Sequence, residues 1–386
     1  MSTAGLSARL ARVRSAAIEA NVRRLAERAG SAALCAVVKA DGYGHGADAA
    51  ARAALAGGAS WLAVATIREA LEVAETAESV GSDAPVLILA EAAPGLVAGA
   101  SERCPSRVRF TVASVAGIEA LAAAPGPTPA VHLKVDTGMH RMGALPSELD
   151  AVTAALRTVG DRLRLEGVWT HLAAADTPEE PFTAEQLARF DEALARLRRS
   201  GLCTGVVHTA NSAGLLAHPE ARRNLVRVGI AIYGVPPSSE LERIVELEPA
   251  LELVSRVTAV RTVAPGESVS YGRHWWADQS TRVATVAIGY ADGVRRDSGP
   301  AGVEVLVRGR RCPIVGMVTM DQLMVALAPA IAQEVTVGDE VVLIGRQGAE
   351  EITAAEVAQR LGTIAYEVLT SISARVPRVS VQSMRE

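Results

Sequence analysis

Eight short runs of apolar, often β-branched residues recur between Leu34 and Tyr233, and most are separated by a stretch with helical spacing. They are Leu34–Lys39, Trp61–Ala65, Val86–Leu89, Arg109–Val112, Val131–Asp136, Gly167–Leu172, Val206–Ala210 and Val226–Tyr233. A strand that is apolar along nearly its whole length suits a parallel sheet covered on both faces, because neither face meets water. Helices are predicted over 15–29, 46–56, 67–79, 114–123, 147–158 and 183–199. The linkers after the third and seventh strands show no clear helical period. Eight strands alternating with helices point to the α/β class and a (β/α)8 TIM-type barrel.

The pattern changes near residue 240. Pro236 and Pro237 punctuate the chain, and a mixed acidic stretch runs to Glu248. Short strand-like pieces follow at 251–263, 282–288, 303–307, 313–318, 322–327 and 340–344, with one late helix near 353–361. This predicts an N-terminal barrel over residues 1–240 and a C-terminal mainly β domain over 241–386.

Composition narrows the partners. Hydrophobic residues make up 49% of the 386 and charged residues 21%, enough apolar material for a packed core. The net charge of -4 gives no basic excess to attract nucleic acid. No apolar run is long enough to span a membrane. Met1 to Ala20 carries Arg9, Arg12 and Arg14 without a continuous apolar core, so no secretory signal is expected. Cys35, Cys104, Cys203 and Cys312 are scattered, with neither disulfide-framework nor metal-ligand spacing. A reducing, cytoplasmic location follows as the expectation.

The chemistry gathers first in Val37-Val38-Lys39-Ala40-Asp41-Gly42-Tyr43-Gly44-His45-Gly46. Lys39 ends the first predicted strand, and in a barrel that end faces the catalytic mouth. A lysine desolvated there has a lowered pKa and a nucleophilic amine. The glycines permit tight turns and close ligand approach. Tyr43 offers a hydroxyl to an anion. No GxxxxGK[ST] loop is present.

This segment resembles the pyridoxal-phosphate attachment motif of the alanine racemase family. The resemblance continues in order through Lys134 to Gly143, Thr170-His171, Asn211 to Gly214, Arg227 to Gly234, Val269 to Gly272, Gly289 to Gly293, Met320-Asp321-Gln322 and Tyr366-Glu367. It spans nearly the whole chain. It implies a barrel with a β domain, pyridoxal 5'-phosphate carried on Lys39, and reversible interconversion of L- and D-alanine for peptidoglycan. Lys39 would exchange the α-proton on one substrate face and Tyr271 on the other. A free tyrosine has a pKa of about 10, so that role calls for neighbouring cations.

The family pattern also implies the surroundings of the cofactor. Arg227 would face the pyridine nitrogen. An arginine keeps its proton, so it would limit electron withdrawal into the ring. His171 would hydrogen-bond Arg227. Tyr43, Ser212, Gly229, Ile230 and Tyr366 would hold the phosphate, with Asn211 beside Ser212. Arg141 and Met320 would meet substrate, and Lys134 matches a lysine that is often carbamylated. Tyr290, Asp292 and Asp321 would stand at the entrance. A homodimer is implied, the β domain of one subunit closing the barrel of the other. Two departures stand out: Thr319 where many members carry cysteine, and Ala374 where some carry an aromatic.

Two alternatives share the cofactor. A barrel-type pyridoxal-phosphate amino-acid decarboxylase would bring a glycine-triplet phosphate loop, which is absent. A non-enzymatic pyridoxal-phosphate carrier would be a lone barrel, without the long C-terminal domain that bears Tyr271.

Overall fold

The computed structural model describes residues 7–100, 103–202 and 204–381. The chain packs as two compact units. One comprises Ile18–Gly42 and Ala47–Glu248. The other joins, among the described residues, 7–17, Tyr43–Gly46 and 249–381. The packing division falls at Glu248/Pro249, and the second unit also takes in residues 7–17.

The first unit contains eight strands: Ala33–Val37, Trp61–Val64, Val86–Glu91, Val108–Val112, Ala130–Lys134, Arg164–Trp169, Val206–His208 and Leu225–Val228. They lie in chain order, except that the eighth pairs parallel with the first, Leu34 opposite Val226. The seventh and eighth are joined by hydrogen bonds from Arg227 N–H to Ala210 O (3.0 Å) and from Asn224 N–H to Val207 O (3.3 Å). This is the expected barrel-like sheet. Helices Ser15–Ala29, Ala47–Ala56, Ile67–Ser79, Val115–Ala123, Leu149–Val159 and Phe182–Arg199 lie where the periodicity puts them. Local chemistry starts two of them: Thr66 and Glu69 form a capping box, and Ser114 caps Val115–Ala123. The two unclear linkers hold the short helices Pro94–Ala100 and Ser212–Ala217.

Two strands differ from expectation, each for a local reason. The sixth begins at Arg164 rather than Gly167, because ion pairs to Glu166 accommodate its charged start. The eighth stops at Val228. Gly229 adopts φ -107, ψ -98, and Ile230–Tyr233 becomes a turn of 3-10 helix. That turn is wholly buried, so its apolar run reads as strand in sequence.

The pairing of the fifth and sixth strands slips once. Val131 faces Leu165, but His132 faces Gly167, which leaves Glu166 as an extra residue. Such a bulge re-aims a side chain.

The second unit holds a nine-stranded sheet. Leu251–Val263 is its long strand, pairing with Glu340–Gln347, Thr281–Val286 and, unforeseen, Leu10–Val13. Four residues are too few to show a period. Ala11 and Val13 face the core while Arg12 pairs with Glu252 and Glu340. The piece expected at 303–307 is the strand Glu304–Val307, whereas the one expected at 313–318 lies earlier, at Arg310–Pro313, where it pairs with Glu304–Val307 in a hairpin turning at Arg308-Gly309, both with positive φ. A helix Ala354–Arg360 matches the late prediction, and a further one, Ala365–Thr370, carries Tyr366.

Among the described residues, no helix is long and apolar enough to cross a membrane. Cys35, Cys104 and Cys312 are buried free thiols, and Cys203 lies outside the described residues.

The bulge yields a stability prediction. A Cβ on Gly167 would sit 2.5 Å from His132 Nδ1. Gly167→Ala should cost about 1–3 kcal/mol through overpacking. It should lower the urea midpoint, and an unchanged midpoint would show that the imidazole has room to move.

Candidate active site

Lys39 follows the first barrel strand and opens an unusual turn. Ala40, Asp41, Gly42 and Tyr43 all have φ between 52° and 60°, a left-handed run containing three non-glycine residues. Each such residue costs roughly 1–2 kcal/mol, so outside contacts must hold it. Glu69 Oε1 accepts the Ala40 N–H at 2.7 Å, while its other oxygen accepts the Ala65 and Thr66 N–H groups. Asp41 Oδ1 accepts the Ala47 N–H at 2.9 Å. Next, Gly44 comes so close to Leu369 that a Cβ would lie 2.3 Å from its carbonyl oxygen. The Lys39 amine is pushed below its ordinary pKa by burial and by Arg141, against the opposing pull of Glu69.

Arg227 is only 3% exposed. Its Nη2 donates to Thr170 O (2.8 Å) and Thr209 O (3.0 Å) and lies 3.4 Å from His171 Nδ1. Its Nη1 donates to His208 Nδ1 at 3.0 Å. The guanidinium lies over Trp169, 4.6 Å from the ring centroid. No carboxylate is among these partners. Of five N–H donors, these contacts leave the Nε–H and one Nη1 hydrogen for a ligand. Burial pulls the Arg227 pKa down to about 10, which still leaves it charged at neutral pH.

Cations crowd this end of the barrel. Burial, then Arg227, Arg141, Lys134 and Lys39, hold His171 well below its ordinary pKa, so it is neutral. Lys134 sits 4.9 Å from the Trp169 ring centroid. Burial, Arg141 and Arg227 lower its pKa to about 8, with Asp136 opposing. Four basic groups around one neutral imidazole make a site suited to an anion.

Asn211 caps Ser212–Ala217, accepting the Gly214 N–H at 2.9 Å. Ser212 Oγ accepts the Gly229 N–H at 2.9 Å, which leaves the hydroxyl hydrogen to donate elsewhere. Gly229 and Ile230 are buried at the start of the 3-10 turn. The structure thus brings Ser212 and Gly229 together.

The remaining predicted residues belong to the second unit. Tyr43 and Tyr366 pack with ring centroids 6.1 Å apart, and burial pushes the Tyr43 hydroxyl well above the usual range. Tyr271 is 69% exposed, on a turn where Ser270, Gly272 and Arg273 all have positive φ. Met320 and Tyr290 are also exposed. Asp292 is fully buried: it accepts the Gly289 N–H and pairs with Arg9 (3.2 Å) and Arg375 (3.5 Å). Arg375 also pairs with the exposed Asp321 at 2.7 Å. Thr319, the departure from the usual cysteine, donates to Gln322 O and stabilises the loop before Leu323.

Several participants escape sequence reading. Glu69 is legible only as a capping box, Thr66-x-x-Glu69, with nothing to signal its reach to Ala40. Arg375 and His208 carry no motif of their own.

A family model for the N-terminal domain of alanine racemase matches residues 13–237, and one for the C-terminal domain matches residues 250–380. The chain belongs to the alanine racemase family. It is 45% identical over 363 residues to an alanine racemase of Symbiobacterium thermophilum, covering 94% of each chain. It is 42% identical to an alanine racemase of Mycobacterium tuberculosis, covering 94% of this chain and 93% of the relative. Among solved structures it resembles alanine racemase from Bacillus anthracis with bound L-Ala-P, at TM-score 0.89 and 39% identity, covering 97% of this chain and 95% of that one. It also resembles alanine racemase from D-cycloserine-producing Streptomyces lavendulae, at TM-score 0.89 and 36% identity, covering 98% of each. The match runs through both halves, which sets aside the lone-barrel carrier and the decarboxylase.

The turn after Lys39 depends on the Glu69 carboxylate. Glu69→Ala removes the acceptor for three N–H groups and should destabilise the protein by about 1–3 kcal/mol. It should also take away the one influence raising the Lys39 pKa. A urea midpoint equal to that of the unaltered protein would mean the left-handed turn holds without Glu69.

Proposed function

We propose that this chain interconverts L- and D-alanine, using pyridoxal 5'-phosphate and two acid/base groups, Lys39 and Tyr271. The observation that carries the reading is Arg227, a buried cation whose partners are carbonyls and neutral imidazoles. The cation excess around it fits an anionic cofactor, and Ser212 with the Gly229–Ile230 backbone forms a polar cradle beside the eighth strand. When bound, pyridoxal 5'-phosphate supplies a carbonyl that captures amines and a ring that accepts the electrons of a broken Cα–H bond.

The residues divide the rest of the work. Lys39 would carry the cofactor, and its Nζ, with a lowered pKa, would hold or return the α-proton on one substrate face. Arg227 would donate one of its remaining N–H groups to the ring nitrogen while staying charged. His171 accepts from Arg227 and fixes its plane. Tyr43, Ser212, Gly229, Ile230 and Tyr366 hold the phosphate, and Asn211 orients the helix that presents Ser212. Arg141 pairs with the substrate carboxylate through its planar fork of donors. Tyr271 of the partner subunit holds or returns the proton at its hydroxyl on the opposite face. The partner's Met320 would stand beside it, and Tyr290 and Asp321 would frame the entrance, whereas Asp292, expected there, is fully buried and holds its turn by accepting the Gly289 N–H. The exposure of Tyr271, Met320 and Tyr290 supports a homodimer with shared sites. The same reading makes this a cytoplasmic enzyme supplying D-alanine for peptidoglycan.

The test is racemisation of L-alanine in heavy water, read by chiral chromatography. The unaltered holoenzyme should form α-deuterated D-alanine, and Lys39→Ala and Tyr271→Phe should each lose at least 99% of that activity, about 3 kcal/mol or more. Mixed after dissociation, the two inactive variants form heterodimers with one intact site each. Activity should return to about a quarter of the unaltered level, as random pairing of a symmetric dimer dictates. No recovery from folded heterodimers would place Lys39 and Tyr271 in sites confined to one chain. No exchange by the unaltered protein would overturn the function itself.

Lys134 supports a second prediction within this reading, that it carries a carbamate. Carbon dioxide adds to a neutral amine and releases a proton, giving an anion that would steady Arg141. With a pKa of about 8, the Lys134 amine loses its proton as pH rises through that value. Carbamate occupancy should therefore rise from pH 6 to pH 9. A 13C signal from labelled bicarbonate should report it and vanish in Lys134→Arg. No signal at pH 9 would remove the modification.

A further inference from the structure

Behind Arg227, a line of hydrogen bonds crosses the barrel interior. Arg227 Nη1 meets His208 Nδ1 at 3.0 Å. His208 Nε2 meets His132 Nδ1 at 2.8 Å, and His132 Nε2 meets Glu166 Oε2 at 3.3 Å. Both histidines are fully buried. Trp169 stacks on His208 with centroids 5.6 Å apart and planes 9° from parallel, and Trp61 presents an edge contact to His132. Glu166 is the extra residue of the bulge, and the bare Cα of Gly167 leaves room for the His132 ring.

The protons on this line can be assigned by donor counting. A guanidinium only donates, so His208 Nδ1 must accept. A neutral His208 then carries its hydrogen on Nε2 and donates it to His132 Nδ1. His132 in turn carries its hydrogen on Nε2 and donates to Glu166. A carboxylate only accepts, so counting from the Glu166 end gives the same answer. Burial, Arg227 and His132 hold His208 well below its ordinary pKa, and His132 is lowered too, chiefly by burial. Glu166 stays ionised: burial opposes this, but hydrogen bonds from His132 and Arg109 bring its pKa to about 2. Arg109 and Arg164 both pair with it.

We propose that Glu166 is a positioning residue for Arg227, acting through His132 and His208 by locking both imidazoles in the Nε2–H form. Without an acceptor at 166, His132 can move its hydrogen to Nδ1. Two N–H groups would then face each other, or His208 would turn an N–H toward Arg227. Either state takes from Arg227 the acceptor that holds its Nη1. The inference rests on the reading that Arg227 addresses the cofactor ring.

The test is 15N NMR of histidine-labelled protein, with and without pyridoxal 5'-phosphate, joined to racemase kinetics. In the unaltered protein both histidines should show a bare Nδ1 and a protonated Nε2. Glu166→Gln keeps an oxygen acceptor and should retain that pattern, with kcat within about threefold. Glu166→Leu should mix the tautomers and lower kcat about tenfold, the size of effect typical of a lost outer-shell partner, with KM for alanine little changed. His132→Leu cuts the line while leaving Glu166 paired with Arg109, so it remains informative if Glu166→Leu does not fold. It should lower kcat by the same factor. A protonated Nδ1 on either histidine of the unaltered protein would overturn the proposal. So would a kcat for His132→Leu equal to that of the unaltered enzyme. An unaltered protein without racemase activity would overturn the functional reading instead, and the tautomers would still report on the line itself.

Discussion

Arg227 sets the terms for everything around it. A guanidinium held at 3% exposure has lost its water, and that loss costs several kcal/mol unless the protein supplies polar partners. The usual remedy is a carboxylate beside it. Here the partners are two backbone oxygens, Thr170 O and Thr209 O, and two neutral ring nitrogens. The barrel makes the oxygens available for a topological reason. Thr170 and Thr209 lie just past the ends of strands Arg164–Trp169 and Val206–His208, where a carbonyl no longer has an assured place in the sheet ladder. The charge is thus solvated rather than neutralised, and its field remains to act on Lys134 and His171.

A second constraint is backbone geometry. The Lys39 turn could not persist on its own torsional preferences, since three residues with side chains stand in the left-handed region. Glu69 answers part of that cost by joining three backbone N–H groups from two successive strand ends through one carboxylate. Because it also acts electrostatically on Lys39, the residue that shapes the turn tunes the amine that the turn presents. Strain and pKa at this position are therefore properties of one arrangement.

Much of the fold was legible because barrel strands are apolar on both faces and the amphipathic helices between them follow a different period. All eight strands and six helices could be placed from those two signals. What stayed hidden lacked a period to read. Leu10–Val13 is too short, and it earns its place only by pairing with Leu251–Val254, far away in sequence. Ile230–Tyr233 is apolar because it is buried, and burial alone does not separate a 3-10 turn from a strand. At the candidate site, motif context points to residues such as Lys39, Ser212 and Arg227, whereas no sequence pattern points to a site role for Glu69, Arg375, His208 or Glu166. Glu166 is the clearest case. Its neighbours read as a strand start, and only the register slip after Val131 turns its side chain toward His132.

The histidines explain how so much positive charge can share a small volume. His132, His171 and His208 could each add a proton near neutral pH in water. Had any done so here, Arg227 would have gained a like charge nearby, and His208 would have exchanged an acceptor for a donor at 3.0 Å. Burial and the cations themselves prevent it, since each lowers the histidine pKa values further. The basic cluster therefore maintains the neutral acceptors it depends on. Such a cluster keeps its hydrogen-bond pattern across the range where a solvated histidine would titrate. Lys134, at a pKa of about 8, is a basic group placed to change charge near neutrality. Losing a proton and taking up carbon dioxide at Lys134 would add a negative charge beside Arg141 and offset part of the cationic excess.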